Sequence, residues 1–178
     1  MDAIEKKIQY SVPLAPFTTF KIGGPAKYFI KPDTIKQFRE AVEWAMKRDI
    51  PFFVMGGGAN ILVHDSGYHG LVINTKGLNR ITVNGTMMSA ECGVPVDSLV
   101  DESLRHSLTG LEFAAGLPGT VGGALFMNAR AYKGEFSRIV QEVHALDIGN
   151  KGVFELSLIH ISEPTRPLYI SYAVFCLK

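Results

Sequence analysis

Two cysteines, Cys92 and Cys176, are all that a chain of 178 residues carries. Two are too few for a disulfide framework, so a buried core must hold the fold, and free thiols in the cytoplasm are expected. An excess of one charge is also lacking: 18 Lys and Arg stand against 17 Asp and Glu, a net charge of +1. Nucleic-acid and membrane-surface proteins need a basic face, so the balance speaks against both, while leaving room for a local basic pocket. No run approaches the roughly 20 consecutive apolar residues of a membrane-spanning helix. Met1 leads into Asp2, Glu5, Lys6 and Lys7 with no apolar stretch behind a basic start, so no secretory leader is expected. Repeats and low-complexity tracts are missing too. What is present is an apolar content of 47%, enough for one core or a core and a small lobe. Glycine is in excess, and all but Gly23, Gly24, Gly149 and Gly152 lie between Gly56 and Gly134. That segment must make backbone shapes that other residues resist.

Tyr28-Phe29-Ile30 reads as a short strand ended by Pro32, with Asp33 or Thr34 placed to cap a helix. Ile35, Phe38, Val42, Ala45 and Met46 then recur at helical spacing, with Lys36, Arg39, Glu40, Glu43 and Lys47 facing away. Trp44, on the same helix, is expected in a core or an interface. Pro51 closes the helix and Phe52–Met55 is a buried strand. This β-α-β order predicts two parallel, neighbouring strands. Ile61-Leu62-Val63 is a further strand-like run, and strands are expected at Leu71–Ile73, Ile81–Val83 and Met87–Cys92. Val96, Leu99, Val100, Leu104 and Leu108 predict a helix over 96–108, stopped by Gly110. Val140–Ile148 and Val153–Leu156 flank Gly149–Gly152 as a hairpin. From Leu158 the character changes: Pro164 and Pro167 break the chain, and Ile170–Leu177 is apolar without helical or alternating order.

Gly56-Gly57-Gly58-Ala59-Asn60 follows a buried strand, where a glycine loop lets backbone N–H groups converge on an anion. It is not a Walker A loop, because no Lys-Ser/Thr pair follows, and the G-x-G-x-x-G spacing of a Rossmann fingerprint fails. A tight turn that binds nothing fits the triplet equally well. A second loop, Gly116-Leu117-Pro118-Gly119-Thr120-Val121-Gly122-Gly123, again offers convergent donors, and two such loops could clasp a pyrophosphate.

These residues carry a resemblance. Phe17-Thr18-Thr19-Phe20-Lys21-Ile22-Gly23-Gly24-Pro25-Ala26, Gly56–Val63, and Gly110–Ala124 followed by Met127-Asn128-Ala129 are similar, in order, to three motifs of the UDP-N-acetylenolpyruvoylglucosamine reductase family. The resemblance covers roughly Tyr10 to Leu156. It implies an α+β fold, the FAD-binding fold of vanillyl-alcohol-oxidase-type enzymes. A small N-terminal β-α-β lobe (1–75) and a second α+β lobe (76–157) would hold FAD between them. It implies NADPH as hydride donor and UDP-N-acetylglucosamine enolpyruvate as substrate, reduced to UDP-N-acetylmuramate for peptidoglycan synthesis by a cytoplasmic, monomeric enzyme. Carried over by position, Gly56, Gly57, Gly58, Ala59, Asn60 and Ile61 would hold the FAD pyrophosphate. Gly116, Pro118, Gly119, Thr120, Gly122 and Gly123 would approach the flavin and diphosphate, and Asn128 and Tyr132 would border the flavin and substrate pocket.

The chain also departs from the family. Arg130 and Lys133 stand where the family has glycines, and both would be strained if those positions need positive φ. The aromatic-Tyr-Arg-x-Ser motif expected near position 165 is absent. So is the substrate lobe with its proton-donating Ser and its Glu, and no catalytic residue is assigned. Residues 158–178 read as a non-family tail, such as translated adapter sequence, joined to a truncated reductase that would not turn over substrate. The alternatives are a fragment that binds FAD weakly or not at all, and another FAD oxidoreductase of the same superfold. Glu102 and His106 share a helix face without a third metal ligand, Cys92 is expected as a core thiol, and Glu112 as a structural carboxylate.

Overall fold

The computed structural model describes residues 3–149, 152–158 and 168–178. The chain divides into two compact units, Met1–Leu78 and Asn79–Lys178. The first holds strands β1 (Gln9–Pro13), β2 (Pro25–Ile30), β3 (Phe52–Met55) and β4 (Tyr68–Asn74), with helix α1 (Ile35–Lys47) between β2 and β3. The sheet order is β1-β2-β4-β3, with β1 antiparallel to β2 and both β2 and β3 parallel to β4.

The expected β-α-β unit forms, but its two strands are not neighbours. β4 lies between them because Leu71, Val72 and Ile73 are the run buried on both faces, at 0–1% exposure. β3 takes the edge and leaves Phe53 41% exposed. Ile61-Leu62-Val63 is not a strand. Leu62 is exposed, while Ile61 and Val63 pack on the cluster of Leu14, Ala26, Phe29, Met55 and Val72. Helix α1 starts at Thr34, whose hydroxyl accepts the Gln37 N–H, and buries Phe38, Ala41, Val42, Trp44 and Ala45. It ends in a left-handed Asp49 (φ 53°), with Ile50 N–H donating to Ala45 O and Asp49 N–H to Met46 O.

In the second unit, strands β5 (Ile81–Asn84) and β6 (Met87–Glu91) precede helices α2 (Val96–Arg105) and α3 (Val121–Phe126). A small hairpin of β7 (Arg130–Ala131) and β8 (Gly134–Glu135) follows, then β9 (Val140–Gly149), β10 (Gly152–Leu158) and β11 (Leu168–Cys176). The main sheet runs β10-β9-β11-β6-β5, antiparallel throughout. The β9–β10 hairpin stands where the sequence predicts it; its turn residues 150 and 151 lie outside the described residues, as do 159–167.

Helix α2 is shorter than its apolar spacing predicts. It stops at Arg105 because Ser107 turns left-handed (φ 55°), and Leu108 N–H and Ser107 N–H close on Ser103 O and Leu104 O. Ser107 therefore does the work expected of Gly110, and Leu104 is 63% exposed rather than on the buried face. The C-terminal stretch that matched no pattern supplies β11 between β9 and β6, with Ala173, Phe175 and Leu177 in the core. Its pairing to β9 shifts register between Ile170 and Tyr172 and again between Val174 and Phe175. Burial nonetheless alternates over Ala173, Phe175 and Leu177, a period of two that the unbroken apolar run hides in the sequence. No helix among the described residues is long and apolar enough to cross a membrane.

Candidate functional site

In the first unit the glycine loop leaves the C-terminal end of β3, beside the end of β4. The backbone N–H groups of Gly57, Gly58, Ala59 and Asn60 have no hydrogen-bond partner among the described residues. Four successive free donors form a ready anion site. The loop rests on the Phe17–Gly24 motif. Thr19 N–H donates to Gly58 O at 3.0 Å. Gly58 has φ +70°, and a Cβ there would lie 2.1 Å from Phe17 O, so this position admits only glycine. The far ends of the two motifs also meet, with Gly24 N–H donating to His64 O at 3.0 Å. Ile61 turns its side chain into the core cluster.

Two buried polar residues that sequence reasoning missed tie the loop from below. Asn74, 1% exposed, donates through Nδ2 to Gly56 O at 3.5 Å and accepts Lys76 N–H at 3.1 Å. Thr75 donates through Oγ1 to Met55 O at 3.4 Å. The signal for them was a polar pair directly after the apolar Leu71-Val72-Ile73 run, at the end of a central strand.

In the second unit the loop before α3 divides its labour. Gly116 N–H is taken by the Asp97 carboxylate at 2.8 Å, and Gly119 O accepts Val96 N–H at 3.2 Å. Val121 and Gly122 N–H donate to Val94 O and Cys92 O, both at 2.8 Å. A Cβ on Gly122 would lie 2.8 Å from Cys92 Cβ, so this glycine serves close packing. The N–H groups of Gly119, Thr120 and Gly123 remain without a partner among the described residues. Beside them the Thr120 hydroxyl is buried with no hydrogen-bond partner among the described residues. An orphaned hydroxyl next to free amides fits a ligand that supplies acceptors. Pro118 is exposed on the same loop.

Asn128 sits just past the end of α3 in a left-handed conformation (φ 42°), and its Oδ1 accepts Ser137 N–H at 3.1 Å. Tyr132, 88% exposed, and Lys133 are the two central residues of the β7–β8 hairpin, with φ 44° and 68°. Positive φ at both is the type I′ pattern. The strain anticipated at Lys133 is there; Arg130 escapes it, because it lies in β7 and pairs with Glu135 at 2.9 Å. Burial opposes ionisation of Glu135. The Arg138 hydrogen bond, the Arg130 charge and the Ser137 hydrogen bond outweigh it and hold its carboxyl below the ordinary range. Glu112 is also held low, first by the Thr109 hydroxyl and then by its own and Gly110 N–H, which makes it a fixed anchor at the entrance to the signature. Glu102 pairs on the surface with Arg105 and His106, and Cys92 is buried.

The FAD binding domain family matches residues 26–156. The UDP-N-acetylenolpyruvoylglucosamine reductase of Clostridium novyi is 36% identical over 147 residues, 83% of this chain and 48% of that protein. The enzyme of the same name from Caldicellulosiruptor bescii is 39% identical over 173 residues, 93% of this chain and 55% of that protein. The chain thus spans about half the length of the curated relatives it matches. Among solved structures, the reductase of Thermus caldophilus superposes with a TM-score of 0.71 at 27% identity, over 94% of this chain and 60% of that one. A solvent-stable cholesterol oxidase reaches a TM-score of 0.74 at 13% identity, over 95% of this chain and 37% of that one, a likeness of fold alone.

Proposed function

The chain belongs to the FAD binding domain family and, within it, to the UDP-N-acetylenolpyruvoylglucosamine reductases, with their α+β, vanillyl-alcohol-oxidase-type fold; on that premise we propose that it is the FAD-holding portion of such a reductase. The parent enzyme would reduce UDP-N-acetylglucosamine enolpyruvate to UDP-N-acetylmuramate in the cytoplasm, with NADPH as hydride donor, as a step of peptidoglycan synthesis. The observation that carries the reading is the row of free amides at Gly57–Asn60, seated on a motif that leaves no room for a Cβ at Gly58. FAD, when bound, supplies hydride-transfer chemistry; the protein's part is to bind and orient it. The Gly57–Asn60 amides would donate to pyrophosphate oxygens. In the second unit the Gly119, Thr120 and Gly123 amides and the Thr120 hydroxyl would donate to acceptors of the flavin nucleotide. Asn128, whose Oδ1 is engaged, would offer its Nδ2, and the exposed Tyr132 ring would border the substrate.

The family's catalytic Arg, Ser and Glu are assigned to no residue of this chain. We therefore propose that this chain binds FAD as a monomer and does not by itself turn over the substrate. The experiment is titration of the purified chain with FAD, followed by flavin fluorescence. Saturable quenching, with a yellow protein that bleaches on NADPH, is the expected result. Absence of quenching would overturn the reading. Substrate-dependent NADPH oxidation would overturn the claim that this chain is inactive.

A further inference from the structure

We propose that Thr18 is a positioning residue: its buried hydroxyl braces the turn that holds the Gly57–Asn60 amides open for an anionic diphosphate. The inference rests on the FAD reading above. Thr18 is 2% exposed, so it is shielded from any ligand. It sits between a single 3-10 turn, Ala15–Phe17, and the exposed run Thr19-Phe20-Lys21-Ile22. Its Oγ1 lies 3.2 Å from Ala15 O and 3.0 Å from Ile22 O, so one hydroxyl proton bridges the two arms of the turn. Lys21 N–H closes on Thr18 O at 3.2 Å, with Lys21 itself left-handed at φ 57°. A left-handed lysine costs free energy and holds only where neighbours enforce it.

The residues on either side of Thr18 are the ones that touch the loop. Phe17 presents its carbonyl to the Cα of Gly58, and Thr19 donates its N–H to Gly58 O. Thr18 is thus the fixed point between two grips on one glycine. With Gly58 O pinned from below, the amides of Gly57 to Asn60 are left without internal partners. A valine at position 18 keeps the shape and loses the bridge, so Ile22 O is left without this donor. The turn can then relax, and the loop loses its common orientation while the core of Leu14, Ala26, Phe29, Met55 and Val72 is untouched.

The test compares the full chain with Thr18→Val and Thr18→Ser. Two quantities are read: the FAD dissociation constant from fluorescence quenching, and, without FAD, NMR hydrogen exchange of the Thr19 amide. The Leu71 amide, bonded to Pro51 O at 2.9 Å, serves as the core reference. Thr18→Val is expected to weaken FAD binding about tenfold, the equivalent of one hydrogen bond. It should also speed Thr19 exchange while Leu71 stays protected, and Thr18→Ser should restore both. Unchanged affinity in Thr18→Val, an equal loss in Thr18→Ser, or unchanged Thr19 exchange would overturn the proposal. So would a Thr18→Val chain that does not fold, because the residue would then hold the unit rather than the loop. If the unsubstituted chain binds no FAD, the functional reading falls instead, and Thr19 exchange still decides whether the brace exists.

Discussion

A side chain at positive φ is informative because it must be held there. Three helices close on such residues, Asp49, Ser107 and Asn128, and in each the two following backbone hydrogen bonds recover carbonyls of the last turn. Polar side chains tolerate this conformation better than most. Lys133 has no comparable compensation. It stands at the second central position of a type I′ turn, where glycine is favoured, and it is exposed. Replacing it removes a steric cost without removing a buried contact. Lys133→Gly is therefore expected to stabilise the chain by about 1 kcal/mol. Urea unfolding reads this as a raised midpoint with an unchanged slope. A lowered midpoint would mean that the lysine makes a contact worth more than its strain.

Strand β11 shows at the scale of elements what sequence patterns miss. Phe175 is fully buried, and its ring meets Phe136 edge to face at 6.1 Å in the core of the second unit. Phe175→Ala should cost about 3–5 kcal/mol, as for other buried aromatics. A loss under about 0.5 kcal/mol in equilibrium denaturation would mark the C-terminal stretch as an appendage. This strand was illegible because apolar residues stand at consecutive positions from Tyr172 to Leu177, so nothing in the sequence marks Ala173, Phe175 and Leu177 as the ones that enter the core. The α1 helix was legible because a single face buries Phe38, Ala41, Val42 and Ala45 at helical spacing. Strand order was not, because it depends on burial across the sheet; nothing local to β2 or β3 says that Leu71–Ile73 will separate them. For the candidate site, the glycine loops announced themselves through composition. Asn74, Thr75 and the brace at Thr18 did not, since each acts through a backbone contact 3 to 20 residues away in sequence.

A net charge near zero speaks against a dominant basic face, and the glycine loop needs none to receive an anion, because uncharged amides supply the donors. Binding carried by the Gly57–Asn60 amides must then stabilise the unit that contains them. Trp44, the only tryptophan of the chain, lies buried on α1 in that unit, so its emission reports unfolding of the first unit alone. A ligand that binds only the folded form adds about 2.7 kcal/mol at a free concentration one hundred times its dissociation constant. The Trp44 transition in urea should therefore move upward with FAD by about this amount and keep rising with the logarithm of FAD concentration. ADP, which carries the diphosphate without the flavin, should move the same transition at concentrations scaled to its own weaker affinity. FAD quenching without any shift in the Trp44 transition would place the bound flavin away from the first unit. It would remove the glycine loop after β3 from the site.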